Sequence, residues 1–311
     1  MDKISLIVPC YNEEAVLEKF YAQVNMISNQ MKEQLFEFVF IDDGSNDGSL
    51  SIVQKLHEKD ERVRFISFSR NFGKEAAILA GLEHVTGDYV VLLDADLQHP
   101  PSLIPQMYDV VKHEDYDCAA ARRSSREGES KIRASFSRTF YRLMKKISKI
   151  DMVQGATDFQ LMTRKKVNAI LSVKEYNRFT KGIFTWVGFK TKWIPYENIE
   201  RAAGDTKWSF GSLASYAFSG IIAFSTFPLT LITIIGVILC ILSFIAVLAV
   251  VVKTLIWGET VAGYPTLVCL LLFLSGIQLF CAGIIGQYLS KTYMETKKRP
   301  IYIIGTTEED C

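Results

Sequence analysis

The chain has 311 residues, a formal net charge of +1 and hydrophobic residues at 49% of its positions. This length suits one large domain with a smaller addition, and the near-neutral charge argues against a nucleic-acid partner. The six cysteines are scattered and form no Cys-x-x-Cys pair, which argues against a zinc site or a disulfide framework and fits a reducing compartment. The first apolar run ends at Pro9 and does not have the pattern of a signal peptide, so we expect the catalytic chemistry to stay in the cytoplasm.

Short apolar runs alternate with helical patterns over the first part of the chain. They predict, in order, a strand at 3–9, a helix at 13–31, strands at 37–41, 63–68 and 89–93, and a strand at 117–121. Three strand-helix units lead into the apolar run at 89–93, which predicts an α/β fold with a largely parallel sheet and right-handed crossovers. The loops after the strands should therefore converge on one edge of the sheet.

The central stretch of the chain is residues 89–98, where an apolar strand ends in two acids. Asp94 and Asp96 are two positions apart, so both would face one way if the strand continued. Two such carboxylates repel each other, and a divalent cation that bridges to a diphosphate is the simplest compensation. The alternative is a strand end that carries two solvated acids.

The other strand-end loops supply further polar groups. Residues 42–48 combine turn formers with acids, a composition that can accept hydrogen bonds from a base or a ribose. No Lys follows the glycines as in a phosphate-binding loop, and the Gly-x-Gly-x-x-Gly spacing of a dinucleotide fold is absent from this loop. We expect residues 9–13, 42–47, 70–74 and 94–98 to lie close together.

Downstream of this region the chain becomes basic. Residues 122–149 form either a solvated helix face or a surface that meets anionic head groups, and Arg122 is the best placed to meet a ligand phosphate. Asp158 lies among apolar neighbours and either caps a following helix or points into the site. Arg201 and Lys207 flank a glycine just before charge disappears from the chain, which suits phosphate binding at a membrane surface.

Two long uncharged tracts follow. Residues 228–252 would give a helix of roughly 37 Å against a hydrocarbon core of about 30 Å, and residues 266–289 are similar. The connection between them is short, so a transmembrane hairpin is predicted, with buried protein core as the alternative. Basic residues after the second tract place the tail and the N-terminal domain in the cytoplasm of a multi-pass protein of the cell membrane.

The resulting layout has four parts. They are a domain at 1–210, an interfacial amphipathic helix at 211–227, the hairpin at 228–290 and a cytoplasmic tail at 291–311. Glycines within the hairpin could support helix association and a homo-oligomer. These glycines are Gly236, Gly276, Gly283 and Gly286.

The ordered set of motifs resembles the family 2 glycosyltransferases of GT-A fold. The resemblance is to their polyprenyl-phosphate branch, which includes dolichol-phosphate mannose synthase and the bactoprenol glucosyltransferases, and the two trailing spans resemble the bactoprenol subgroup. It covers about the first 210 residues. The matching segments are residues 7–14, 41–45, 71–74, 94–98, 157–159 and 201–208.

The resemblance implies roles for individual residues. The base and ribose would be held by Pro9, Tyr11, Glu13, Ile41 and Asp43. The diphosphate and metal would be held by Asp94, Ala95 and Asp96, with Asp96 and Gln98 as the ligands of Mg²⁺ or Mn²⁺ and Arg122 on the donor phosphates. Arg201 and Lys207 correspond to the family's residues that bind the acceptor phosphate, and Asp158 corresponds to the family's candidate base. Thr206 stands where Ser is more usual, which keeps the hydroxyl.

The implied activity is the inverting, metal-dependent transfer of one hexose to a polyprenyl phosphate such as undecaprenyl phosphate. Glucose from UDP-glucose is the expected donor sugar, and UDP-N-acetylglucosamine or GDP-mannose are alternatives. The chain has no Gln-x-x-Arg-Trp motif, the mark of processive synthases, so one sugar per turnover is expected. The alternative from a different functional class is a non-catalytic, lipid-binding membrane protein that retains the fold.

Overall fold

The computed structural model describes residues 1–124, 153, 155–197, 221–223, 225–257 and 263–310. It divides into two compact units. The first comprises Met1–Ala217 and Arg299–Cys311, and the second is Phe218–Lys298.

The first unit is built from alternating strands and helices, as the sequence pattern predicts. In chain order they are β1 (Asp2–Cys10), α1 (Leu17–Gln30), β2 (Gln34–Asp42), α2 (Ser49–Lys59), β3 (Val63–Phe68), α3 (Lys74–His84), β4 (Tyr89–Leu92), α4 (Ile104–His113), β5 (Cys118–Arg123), β6 (Ala156–Thr163), α5 (Arg164–Ser172), α6 (Thr180–Trp186), β7 (Thr191–Tyr196) and β8 (Ile304–Thr307). The predicted strands at the start of the chain are confirmed to within a few residues. Strand β4 ends at Leu92, so Asp94 and Asp96 follow the strand and do not continue it.

The eight strands form one sheet in the order β7-β5-β6-β4-β1-β2-β3-β8. Its centre, β4-β1-β2-β3, is entirely parallel, and β5 and β7 are also parallel to each other. Strand β6 runs antiparallel to both of its neighbours, β4 and β5. The prediction of an α/β fold with a mostly parallel sheet is confirmed. The antiparallel β6 brings a downstream segment back to the rim where β4 ends.

The core lies between the central strands and the helices on one face. Ile4, Leu6 and Val8 alternate along β1 and are at most 1% exposed, and they join Phe38 and Phe40 of β2 in one cluster. This alternation is what a pleated strand with a buried face requires. Burial of these apolar side chains is the main stabilising contribution to the unit.

Helix α3 packs very closely on the other face of β1. A Cβ atom at Gly81 would lie 2.3 Å from Cγ2 of Ile7, a distance that no side chain tolerates. Glycine at this position therefore lets the helix backbone approach the strand. The close packing places Lys74, the first residue of α3, at the C-terminal rim of the sheet.

The tail returns to the sheet as its last strand. Strand β8 pairs antiparallel with β3, and the Glu308 carboxylate accepts from Arg64 Nε at 2.8 Å and from the Phe65 amide at 3.2 Å. Tyr302 stacks on Phe68 with ring centroids 4.9 Å apart. The strand covers the edge of β3, whose unpaired backbone groups would otherwise be open to another chain.

The second unit contains the two apolar helices, α7 (Phe227–Trp257) and α8 (Tyr264–Lys297). Segments Phe227–Ala246 and Phe273–Lys297 are long and apolar enough to cross a membrane, with mean hydropathies of 2.8 and 1.3. Of the predicted interfacial helix, residues 221–223 are helical, and residues 211–220 and 224 lie outside the described residues.

Candidate active site

The first wall of the site is made by the ends of β1 and β2. Pro9 pairs with Ile41 in the parallel register, and the Asp43 amide donates to the Cys10 carbonyl at 2.9 Å. The half-buried Tyr11 begins the loop that follows β1. The C-terminal ends of β1 and β2 are therefore adjacent, as in any parallel pair of strands. This places together the predicted neighbours Pro9, Tyr11, Ile41 and Asp43.

The loops after β1 and β2 are tied to each other by side chains. The Asn12 amide donates to Ser45 Oγ at 2.9 Å, and the Glu13 amide donates to Ser49 Oγ at 2.8 Å. In return, Asn12 Oδ1 accepts from the Asn46 amide at 2.9 Å. These contacts fix the backbone on which the half-buried Glu13 side chain is carried.

Asp43 is held by backbone amides. Its Oδ1 accepts from the Phe72 amide at 2.7 Å, and its Oδ2 accepts from the Gly73 amide at 2.9 Å. Burial raises the pKa of the Asp43 carboxyl, and the two amides only partly oppose that effect. Asp43 therefore joins the loop after β2 to the start of α3.

The second wall centres on the Lys74 ammonium, which joins two acids that are far apart in sequence. Lys74 Nζ lies 2.7 Å from Asp94 Oδ1 and 2.8 Å from Asp158 Oδ2. The register of β4 with β6 explains the meeting, because Leu92 pairs with Gln160 and both acids lie two residues beyond that pair. The expected repulsion at Asp94 is thus compensated within the chain by a lysine.

Asp158 lies on β6 and does not cap a helix, so that alternative from the sequence is wrong. The residue that caps α5 is Thr163, whose hydroxyl accepts from the Lys166 amide at 3.3 Å. Asp158 cannot act as the cap because the strand continues for five residues beyond it. Its carboxylate points to Lys74 and Lys181 instead.

The charges around Asp158 set its protonation state. Burial alone would raise its pKa, but Lys181 at 3.8 Å and Lys74 outweigh that effect and hold the pKa of Asp158 well below its usual range. Burial likewise opposes the charge on Lys74, but Asp158 and Asp94 raise the pKa of Lys74 above its usual value. At neutral pH Asp158 is therefore a carboxylate and Lys74 an ammonium.

Glu75 links the two helices that carry these lysines. Its carboxylate accepts from the Thr180 amide at 2.8 Å and from the Thr180 hydroxyl. Thr180 is the first residue of α6, and Lys181 follows it. The contact therefore holds the beginning of α3 and the beginning of α6 in a fixed relation around Asp158.

The loop after β4 presents oxygen ligands. Ala95 is buried, Leu97 has a positive φ of 57°, and Asp96 Oδ1 accepts from the Gln98 amide at 3.1 Å. Carboxylate and amide oxygens are the ligand atoms that Mg²⁺ and Mn²⁺ prefer. Among the described residues no group of three or more His, Cys, Asp or Glu side chains forms a metal site. Asp96 and Gln98 thus fit a cation only if a ligand supplies the remaining oxygens.

Arg122 lies at the C-terminal end of β5. It is exposed at the end of β5, where it pairs with Ala156, and no hydrogen bond or ion pair in the described part of the chain joins its side chain to the acids. Its neighbour Arg123 donates from Nε to the Tyr196 hydroxyl at 3.3 Å. The Tyr196 hydroxyl lies 3.4 Å from Nδ1 of the buried His99.

No role is predicted from the sequence for Lys74, Lys181, His99 or Arg123. Lys74 belongs to the matching segment 71–74, so its place near the site could be inferred from the sequence, but its two acidic partners could not. His99 follows Gln98 directly, and burial lowers the pKa of its imidazole although Asp94 and Asp96 oppose this. Arg201 and Lys207, the predicted acceptor residues, lie outside the described residues.

A mostly parallel sheet with acids gathered at the C-terminal ends of β2 and β4 is the arrangement that the GT-A resemblance implies. The model of the family described as "Glycosyl transferase family 2" matches residues 5–171. The chain belongs to glycosyl transferase family 2, which confirms the resemblance inferred from the motifs.

Relatives resemble the chain over nearly its whole length. The prophage bactoprenol glucosyl transferase homolog of Escherichia coli (strain K12) is 43% identical over 302 residues, covering 97% of this chain and 98% of that protein. The bactoprenol glucosyl transferase of Shigella phage SfV is 41% identical over 307 residues, covering 99% of each.

A solved structure is similar in fold to most of this chain. It is glucosyl-3-phosphoglycerate synthase from Mycobacterium tuberculosis, in complex with Mn²⁺, uridine diphosphate and glucosyl-3-phosphoglycerate. The TM-score is 0.50 at 17% identity, and the match covers 71% of this chain and 78% of that chain. At this identity the match shows the fold alone.

Proposed function

We propose that this glycosyltransferase moves one hexose, glucose from UDP-glucose, onto a polyprenyl phosphate such as undecaprenyl phosphate, with inversion and release of UDP. The observation that carries the proposal is the 43% identity to a bactoprenol glucosyl transferase homolog over 97% of this chain. That similarity includes both the acidic rim and the two apolar helices.

The nucleotide half of the donor is assigned to the loops after β1 and β2. Pro9, Tyr11, Glu13 and Ile41 would face the base, and the Asp43 carboxylate would accept from a ribose hydroxyl or a base N–H. Because the Phe72 and Gly73 amides already orient Asp43, this side is organised before the donor binds.

The diphosphate is assigned to the loop of Asp94, Ala95 and Asp96. A divalent cation, Mg²⁺ or Mn²⁺, held by Asp96 and Gln98 would neutralise charge that develops on the leaving diphosphate. Arg122 is exposed near this rim and would meet the donor phosphates. The mycobacterial synthase, which is similar in fold, holds Mn²⁺ and uridine diphosphate.

Asp158 is assigned to orient the reacting groups, not to remove a proton. A base works best when its pKa is close to the working pH, whereas Lys181 and Lys74 hold the pKa of Asp158 far below that value. A phosphate monoester has a second pKa of about 6, so much of the acceptor is already a dianion at pH 7. Arg201 and Lys207 are assigned a contribution to the binding of that dianion.

The membrane arrangement is part of the proposal. Helices α7 and α8 would form a hairpin that starts and ends on the cytoplasmic side of the cell membrane. Support comes from chain connectivity, because β3 precedes the two helices and its partner β8 follows them. A chain that leaves and re-enters one folded unit must cross a bilayer an even number of times.

The test is an incubation of membranes that contain the protein with labelled donors. UDP-glucose, UDP-N-acetylglucosamine and GDP-mannose are supplied separately with undecaprenyl phosphate and either Mg²⁺ or Mn²⁺. We expect labelled lipid from UDP-glucose alone, and none after chelation of the metal. Labelled lipid from another donor would change the assigned sugar, and the absence of labelled lipid from all three would overturn the activity.

A further inference from the structure

A cavity of about 290 Å³ lies beside the acid cluster. Its floor is one face of β7, β5 and β6, which are neighbours in the sheet, and α5 and α6 contribute Lys166 and Phe184 to the lining. Asp158 and Gln160 are two apart on β6, so their side chains belong to the same face of the sheet. The cavity is therefore on the side of the sheet where Asp158 meets its lysines.

A buried lysine lines this cavity. Lys166 is 1% exposed, and its ammonium has Gln160 Oε1 at 3.4 Å, the Phe184 ring centroid at 5.8 Å and the Cys118 thiol nearby. Among the residues that the structure describes, no carboxylate lies within ion-pair distance of it. An ammonium removed from water without a counter-charge is costly, and an anion in the cavity would offset that cost.

A second cation joins the cavity to the acid cluster. Lys181 lines the cavity, and its ammonium is also 3.8 Å from Asp158 Oδ1. Thr157, Thr185 and Thr191 also line the cavity, and the hydroxyl of each donates to a backbone carbonyl at 3.1–3.3 Å. The two ammonium groups, Lys166 and Lys181, are therefore the groups that would bind a phosphate there.

The size of the cavity limits what it can hold. Small-molecule pockets are typically about 300–1,000 Å³, so a cavity at the lower end has room for a head group but not for a polyprenyl chain. We propose that it is a phosphate subsite in which Lys166 and Lys181 bind the phosphate monoester of the acceptor next to Asp158. The source of the phosphate rests on the proposed function, whereas the subsite itself rests on the buried lysine and the cavity.

The chain offers a matched pair of variants for the test. Lys165 and Lys166 are consecutive on α5, but the Lys165 side chain is 75% exposed and pairs with Asp117 at 3.8 Å. Full-length wild type, Lys166→Met and Lys165→Met are purified in detergent. Inorganic phosphate and farnesyl phosphate are titrated into each by calorimetry, and thermal unfolding is followed with and without phosphate.

We expect both ligands to bind the wild type and Lys165→Met with equal affinity and to compete with each other. Lys166→Met should bind both at least tenfold more weakly and should lose the rise in Tm that phosphate gives. In the transfer assay Lys166→Met should raise the KM for the acceptor about tenfold and leave the KM for the donor unchanged. Its own Tm without phosphate should equal or exceed that of the wild type, because an unpaired buried charge has been removed.

Thr185→Leu tests the same cavity without changing a charge, and it serves if Lys166→Met does not fold. Leucine at this position fills the cavity from α6, so phosphate binding should weaken as in Lys166→Met. Equal phosphate affinity in the wild type and in the folded cavity variants would overturn the subsite. Phosphate binding that depends on Lys166 but is not displaced by farnesyl phosphate would overturn its assignment to the acceptor. Absence of sugar transfer by the wild type, with phosphate binding still dependent on Lys166, would overturn the proposed function and leave the subsite standing.

Discussion

The two sides of the sheet rim hold their buried acids in different ways. On the side of β2, Asp43 is held by the backbone amides of Phe72 and Gly73, and burial raises its pKa. On the side of β4 and β6, Asp158 is held by Lys74 and Lys181, which lower its pKa despite burial. Two carboxylates on one rim are thus shifted in opposite directions.

The difference teaches what each side can do. Backbone amides are fixed by the fold and carry no net charge, so Asp43 is suited to a constant contact with uncharged hydroxyl or N–H groups. Lysine ammonium groups lie on flexible stems and bring full charges, so they can turn toward phosphate oxygens when a ligand arrives. We therefore assign recognition to the first side and charge rearrangement during transfer to the second.

The largest effect should follow from removing the proposed metal ligand on the transfer side. In Asp96→Ala the diphosphate loses its cation, and a loss of several kcal/mol of charge stabilisation corresponds to about a 1,000-fold fall in kcat/KM. Labelled sugar transfer to undecaprenyl phosphate measures it. Asp115→Ala, which changes an acid that is 94% exposed, is the matched control and should keep full activity. Undiminished transfer by Asp96→Ala would remove the basis for the metal site.

Asp158→Asn sharpens the comparison by separating orientation from proton transfer. We expect kcat to fall about 100-fold, the cost of misplacing reacting groups, and the ratio to wild type to stay constant from pH 6 to pH 9. A base would give a different result, because its loss would shrink as rising pH deprotonates the acceptor. The pH profile of kcat for both proteins decides between the two roles.

The fold of the first unit could be predicted because its strands are encoded locally. Apolar runs bounded by turns predict β1 to β4, and the strand-helix order then requires their loops to share one edge. The positions of Asp43, Asp94 and Asp96 on that edge follow from chain order alone. The local strand pattern and the right-handed crossovers are therefore enough to predict this half of the site.

The remaining part of the site depends on contacts between distant segments. Lys74 and Asp158 are separated by 84 positions, and they meet only because β6 runs antiparallel to β4. Lys165 and Lys166 are indistinguishable in the sequence, although the fold buries one and exposes the other. The four residues of β8 are too short to predict, and their pairing is decided by the open edge of β3. Register and edge geometry are properties of the assembled sheet.

Lys74→Met should raise the pKa of Asp158, so that this carboxyl becomes more like Asp43, which backbone amides hold. Loss of a partly exposed ammonium costs about 1–2 kcal/mol, which corresponds to about a tenfold fall in kcat/KM at pH 8. With Lys74 absent, only Lys181 and His99 among the causes described here oppose the effect of burial on Asp158, so the pKa of Asp158 rises and the acid limb of the activity profile moves to higher pH. Lys74→Arg keeps the charge and should keep the acid limb of the wild type. An unmoved acid limb in Lys74→Met would show that Lys74 does not set the charge of Asp158.

The smallest effect concerns stability and tests the opposite pKa shifts directly. Asp43→Asn replaces one acceptor oxygen with an NH₂ group that faces backbone amides, at a cost of about 1 kcal/mol in the free energy of unfolding. The raised pKa of Asp43 means that its ionisation costs stability as pH rises above the usual Asp value of about 3.9. The deficit of Asp43→Asn should therefore shrink between pH 4 and pH 7.

Asp158→Asn should show the reverse dependence. The lowered pKa of Asp158 gives stability that is complete above about pH 3.9 and is lost as pH falls through the lower folded value. Its deficit should therefore stay constant between pH 4 and pH 7 and shrink only below that range. Thermal unfolding of the wild type and both variants in detergent measures these deficits. Parallel pH dependence in the two variants would mean that the lysines and the amides hold their carboxylates alike, and the division of the rim into recognition and transfer sides would fail.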